Sequence, residues 1–205
     1  VTYHFAQGDI HDFSWMAVDN YEPPLQATYR GAGSPEVAVK VFYPAEYRSS
    51  AEAALPATLD SLRFFSEKLG PYPYRTSTCI IPPYNASEAG GMEYQTLFTS
   101  LGIPDVEPDT AYSTTLYMVT VHEFGHGYFY GLLASNEFEE PFLDEGLNDF
   151  FDLRLVGQNG RQMAVSTPRL KRLGINPHVD PWELERASTI RDSQPPDPLG
   201  QNAWD

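Results

Sequence analysis

The sequence predicts an α+β fold, with a β-lobe over residues 1–105 followed by a helical lobe over residues 106–205. Two observations lead there. Runs that alternate apolar and polar residues gather in the first half, and long stretches with a helical period fill the second. At 205 residues the chain can bury a sizeable core, in one domain or two packed lobes. No internal repeat is present.

Taken in order, "HDFSWMAVD" (His11 to Asp19) alternates and reads as a strand, and "VAVKVFY" (Val37 to Tyr43) does so more clearly. From Glu52 to Leu69 the period becomes helical, with Leu55, Leu59, Leu62, Phe65 and Leu69 on one stripe. Pro56 fits the first turn of a helix, so the helix is expected to start near it, and Gly70-Pro71 to end it. "STCIIP" (Ser77 to Pro82) reads as a short strand, Pro82 to Gly91 as a loop, and "MEYQTLFTS" (Met92 to Ser100) as another strand. A long helix follows over about residues 110–133, with Asp109 or Thr110 as its N-cap and Gly131 as a C-cap. Pro141 opens a second helix reaching about Leu155, with Phe142, Leu143, Leu147, Phe150, Phe151 and Leu155 as its apolar positions. A third helical piece is expected near Arg161 to Leu173, and the tail from Ser193 to Gln201 reads as a loop.

Composition narrows the function classes. The formal charge of −15 repels phosphate backbones, which argues against a nucleic-acid partner. Such a field keeps a chain soluble and favours cationic ligands, including peptides with a free amino terminus. No apolar run approaches the roughly 18 residues that span a bilayer. Cys79 is the single cysteine, so no intrachain disulfide can form; its apolar setting reads as a buried strand thiol rather than a nucleophile. One cysteine and no visible signal favour a cytoplasmic location, and a chain beginning at Val1 reads as a piece of a longer protein.

The stretch "TVHEFGHGYFYG" (Thr120 to Gly131) holds the chemistry. His122-Glu123-Phe124-Gly125-His126 is H-E-x-x-H, and two histidines four apart on a helix stack on one face, where both can reach one zinc ion. Glu123 can lean toward a water on that ion without ligating it. Chance gives this motif in about one of a hundred chains of such composition, so the motif needs a third ligand to carry weight. Glu145 supplies it, 18 residues after His126 in an apolar helical run. An acid there needs a partner, and zinc is one. Asp149 and Asp152 share its helical face, and either can accept the free N–H of a ligand histidine or face solvent. Gly125 and Gly127 each cost roughly 1 kcal/mol in a helix interior, which close approach of the second helix would offset.

H-E-x-x-H, 18 residues and then E resembles the gluzincin metallopeptidases, and E-G after an F-L-D prefix looks like the alanyl/leucyl aminopeptidase family, which includes leukotriene-hydrolase-like enzymes. That family shows W-L-N-E-G where Phe142-Leu143-Asp144-Glu145-Gly146 stands here. Its other hallmark, G-x-M-E-N, is matched by Gly90-Gly91-Met92-Glu93-Tyr94 upstream, with Tyr94 in place of Asn. "LGPYPYRTST" (Leu69 to Thr78) also resembles the family's stretch before that strand. The resemblance runs from about His11 to Phe151.

The resemblance implies a thermolysin-like catalytic domain, with a mixed sheet whose edge strand lies at the substrate site and a helical lobe that carries the zinc. It implies that His122, His126 and Glu145 bind one Zn2+ and that Glu123 is the general base. Glu93 would bind the α-ammonium group, while Gly90, Gly91 and Met92 line the substrate strand. The implied activity is aminopeptidase action on peptides with a free N-terminus. A thermolysin-like endopeptidase, or a fragment that binds metal and peptide without turnover, are the alternatives. The family's N-terminal β-domain and C-terminal region lie outside residues 1–205, so the remaining domains of the parent protein are expected partners. The family's tyrosine that stabilises the tetrahedral intermediate is expected at or just beyond Asp205.

Overall fold

Val37, Val39 and Val41 alternate with Ala38 and Lys40, and the backbone follows that period into a strand, β2 (Val37–Phe42), whose valines are fully buried. The computed structural model describes residues 2–183 apart from 32, 137–138, 140 and 159–161. β2 lies in a four-stranded mixed sheet ordered β1-β2-β3-β4. β1 (Leu25–Tyr29) pairs antiparallel with β2, placing Ala27 opposite Val39. β3 (Thr76–Ile80) runs parallel to β2, with Cys79 beside Val41, and β4 (Leu97–Thr99) runs parallel to β3. Parallel neighbours need a crossover, and α1 (Arg48–Lys68) provides the one from β2 to β3. Cys79 is fully buried and burial raises its thiol pKa, which suits an inert strand residue.

α1 begins well before Pro56, which sits inside it rather than in its first turn. Tertiary bonds hold the early turns. Ser50 Oγ bonds the Ile103 carbonyl at 2.7 Å and Ser49 Oγ accepts from the Val106 N–H at 2.9 Å; within the helix, Arg48 pairs with Glu52 at 2.8 Å. Those contacts outweigh the one backbone bond a proline removes. Residues 11–19 form no strand. No strand among the described residues pairs with them, and Phe13 and Trp15 stand exposed; an alternating pattern without a neighbouring strand has no ladder to join. The Met92–Ser100 run is likewise not one strand. Thr96 takes a left-handed φ of 64°, so the chain turns there and Met92 comes back beside Thr99 in an isolated antiparallel bridge.

Two helices carry the second half. Thr110 caps α2 (Ala111–His126) through a reciprocal capping box with Ser113. The helix then widens into a π-helix over Gly127–Leu132, where α geometry was expected to continue. A second π stretch, Phe142–Gly146, leads into α3 (Leu147–Gln158). Wide turns of this kind concentrate at functional sites, and here they adjoin both halves of the predicted motif. Gly131 is not a C-cap: it lies inside the π-helix, where any β-carbon would overlap Gln95. The third helical piece shortens to α4 (Pro168–Arg172), because Met163–Ala164 (β5) pairs with His178–Val179 (β6). Ser193 to Gln201 lies outside the described residues. None of the described helices is long and apolar enough to cross a membrane.

The core lies between the sheet, α1 and α2. Phe65 is its hub, stacked on Tyr128 at 5.5 Å and touching Phe64, Phe124, Phe129 and Phe151. Beside it, Ser100 Oγ and Thr120 Oγ1 share a buried bond of 2.8 Å that ties the end of β4 to α2. The sheet edge is thereby held against the helix that carries the histidines.

Candidate metal centre

His122 and His126 stand one turn apart on α2, and their Nε2 atoms approach to 3.0 Å. Glu145, in the π turn before α3, brings Oε2 to 3.1 Å from His122 Nε2 and 3.7 Å from His126 Nε2. A tetrahedral zinc with its usual nitrogen and oxygen ligand lengths places neighbouring donors about 3.3 Å apart. The three observed separations bracket that value, so these residues could hold one metal ion. The donor set, two imidazoles and a carboxylate, suits zinc and leaves a fourth position open.

Carboxylates orient both rings. Asp144 Oδ1 lies 2.5 Å from His126 Nδ1, Asp152 Oδ2 lies 2.9 Å from His122 Nδ1, and Asp149 Oδ1 lies 3.1 Å from that same nitrogen. An ionised carboxylate only accepts, so each Nδ1 carries a proton, and Nε2 is the nitrogen of each ring that faces the shared centre. Burial works to lower the His122 pKa, but the bonds to Asp149, Asp152 and Glu145 hold it well above the usual histidine value. His126 follows the same balance, with Asp144 as the raising partner. Burial would raise Glu145, yet its bond to His122 and the charges of both histidines keep it below the ordinary carboxylate range. Ligation needs neutral imidazoles, so a cation where the three donors meet would displace protons that these rings hold and would bind more tightly as pH rises, while the ionised Glu145 favours it.

Glu123 is 7% exposed, and burial pushes its pKa up to about 7 against the lowering charges of His122 and His126. A carboxylate poised near neutrality is suited to take up and release a proton. Gly91 lies directly against it: a β-carbon there would stand 3.4 Å from Glu123 Oε1, and φ is +74°, which glycine adopts freely. Gly90 is pressed on Ser100, whose carbonyl would be 2.8 Å from a β-carbon. Met92 is half-exposed at the bridge to Thr99, outside β4. Glu93 is half-buried, and its charge acts on both Glu123 and His126, which sets it beside the same centre. The structure therefore gathers His122, Glu123, His126, Glu145, Asp149, Asp152 and the Gly90–Glu93 turn around one spot.

Two residues escaped the sequence reading. Asp144 was noted only as a substitute within a motif, and Asn148 not at all. Asp144 is buried in the π stretch and Asn148 on α3, on the side that meets α2, together with Asp152. Their spacing of four was the available signal: Asp144, Asn148 and Asp152 form one polar stripe. Phe142 and Phe150, assigned to the apolar face, are instead exposed, because that stripe faces inward to serve the histidines. Of the two glycines expected at the helix contact, Gly125 touches α3 through Asn148, whereas a β-carbon at Gly127 would meet nothing within 4 Å.

Among solved structures, the chain is similar to the M1 zinc metallopeptidase from Deinococcus radiodurans. The identity is 17% and the TM-score 0.58, covering 89% of this chain and 36% of that one. A glutamate-to-alanine mutant of that protein gives 16% identity, the same TM-score and the same coverage. The fold is shared. The chain spans about a third of the length of these structures. No family model matches the sequence, and no curated protein matches it.

Proposed function

We propose that this chain is the catalytic region of a zinc-dependent aminopeptidase, which removes the N-terminal residue from peptides. The observation that carries the reading is the meeting of His122 Nε2, His126 Nε2 and Glu145 Oε2 beside a buried Glu123. The likeness of fold to M1 zinc metallopeptidases supports the choice of zinc. When bound, zinc lowers the pKa of a coordinated water to about 7 and polarises a carbonyl.

The chain's own residues do the rest. Glu123 accepts the water's proton as the water attacks and delivers it to the leaving amine. Asp144, Asp149 and Asp152 keep both imidazole lone pairs on the centre. Gly90, Gly91 and Met92 offer a backbone edge outside β4 along which an extended peptide can pair, and the absence of side chains at the glycines lets it approach. Glu93 receives the α-ammonium group, so position selects the first peptide bond. Asp149 and Asp152 thus act through His122, and Glu93 through the substrate. Domains of the kind that the longer M1 structures hold outside the shared region are its proposed partners.

The test compares a free-amine peptide with its N-acetylated counterpart, alongside zinc stoichiometry of wild type and His122→Ala. One zinc per chain, lost in the variant, and cleavage confined to the free amine are expected. Equal cleavage of both peptides would replace this reading with endopeptidase action. Zinc binding without cleavage in a longer chain carrying the missing domains would leave a binding scaffold.

A further inference from the structure

Asn148 is fully buried on α3, three residues beyond Glu145. Its Nδ2 donates to the backbone carbonyl of His122 at 2.8 Å and lies 3.4 Å from His122 Nδ1. Its Oδ1 is buried with no partner among the described residues, a costly state for an amide oxygen. The space it occupies exists only because residue 125 is glycine. A β-carbon at Gly125 would overlap the Asn148 amide and press on Phe65 Cζ at 3.0 Å. Glycine in a helix interior and a half-satisfied amide are both poor choices for stability. They meet at one point, between the backbone of the first histidine and the helix turn that follows Glu145.

We infer that Asn148 and Gly125 form a register pin, which makes Asn148 a positioning residue for the metal centre. This inference rests on the metal reading above. The carboxylate contacts from α3 and the π stretch before it run to imidazole nitrogens, so they follow the rings as the rings turn. The Asn148 bond runs to the main chain and holds whichever way the rings point. It fixes how far along α2 the start of α3 sits, and so where Glu145 Oε2 lies relative to the two Nε2 atoms. A slip of one helical turn, about 5.4 Å, would carry Glu145 out of reach of both.

The pin predicts that stability and metal binding move in opposite directions, which a purely structural asparagine would not do. Asn148→Leu removes the unpaired oxygen and fills the same space with apolar atoms. Metal-free Asn148→Leu should therefore unfold at the wild-type temperature or higher. Its zinc affinity, measured by chelator competition, should fall at least tenfold, the scale at which outer partners of metal ligands act. The visible absorption of the cobalt-substituted protein should change as well, because the third ligand is displaced. Asn148→Ala, with a smaller side chain, is read in parallel should the leucine disturb the helix contact. Gly125→Ala, which pushes the amide away, should weaken zinc in the same direction. Wild-type zinc affinity and an unchanged cobalt spectrum in both Asn148 variants overturn the pin. So does weakening that merely tracks a lower metal-free unfolding temperature. If wild type itself binds no zinc, the metal reading fails first and the pin goes with it.

Discussion

α2 packs two neighbours by opposite means. Toward α1 it presents Phe124, joined by Tyr128 and Phe129 of the π-helix that continues it, and these close around Phe65. Toward α3 it presents His122 and His126, which meet Asp144, Asn148, Asp149 and Asp152. The first interface is what an ordinary core requires. The second buries ionisable groups that cost stability unless each finds a partner. One helix can carry the second because the first holds it in place. Gly125 marks the boundary, since a β-carbon there would press on Phe65 from one side and Asn148 from the other.

If this division is real, damage to one side should spare the other. Phe65→Ala should produce the largest effect, a loss of about 3–5 kcal/mol in unfolding free energy, as truncation of a buried aromatic does. Chemical denaturation measures it. Zinc affinity of the folded fraction should stay within a few-fold of wild type. A collapse in affinity matching the loss of stability would show that the two faces are one unit.

The converse change sharpens the comparison. Asp144→Ala takes the acceptor from His126 Nδ1 and frees the ring to rotate. Zinc should bind 10- to 100-fold more weakly. Asp144→Asn keeps an acceptor oxygen and should lose less, so the order wild type, Asn, Ala in chelator competition is the expected result. Equal losses in Asn and Ala would mean that the charge matters rather than the orientation of the ring.

The two faces were not equally legible. His122, His126 and Glu145 could be read because their chemistry survives as residue type and spacing along one or two helices. The α1 face was readable in part, since Leu62 and Phe65 obey a helical period and are fully buried. The α3 face was misread because periodicity assumes that apolar residues point inward. There the rule is inverted: Phe142 and Phe150 face out, while Asp144, Asn148 and Asp152 face in. Long-range geometry hid the rest. Leu25–Tyr29 alternates over only five residues, a signal too short to weigh without β2 beside it, while residues 11–19 join no ladder among the described residues and stay irregular. Both π-helices widen turns by amounts that no residue pattern announces.

The smallest expected effect comes from a second histidine–aspartate contact. His178 Nε2 lies 2.5 Å from Asp109 Oδ1, the same distance as His126 from Asp144, but at the surface. The Asp109 side chain is 50% exposed, against 4% for Asp144. The bond to His178, with help from nearby Lys171 and Asn176, holds Asp109 below the ordinary aspartate pKa. A carboxylate with a depressed folded pKa adds stability above its unfolded pKa of about 3.9, and that stability fades as pH falls through the lower folded value. Asp109→Asn should therefore cost no more than about 0.5 kcal/mol at neutral pH, the scale of exposed pairs. The difference from wild type should begin to fade below about pH 4 and vanish once pH falls beneath the depressed folded pKa, and molar salt should shrink it at neutral pH. Equal distance with unequal consequence is the point: Asp109 is half exposed to water and salt, whereas Asp144 is buried against the ring it orients. A loss at Asp109 that matched Asp144→Ala, and survived molar salt, would show that burial is not what separates the two contacts.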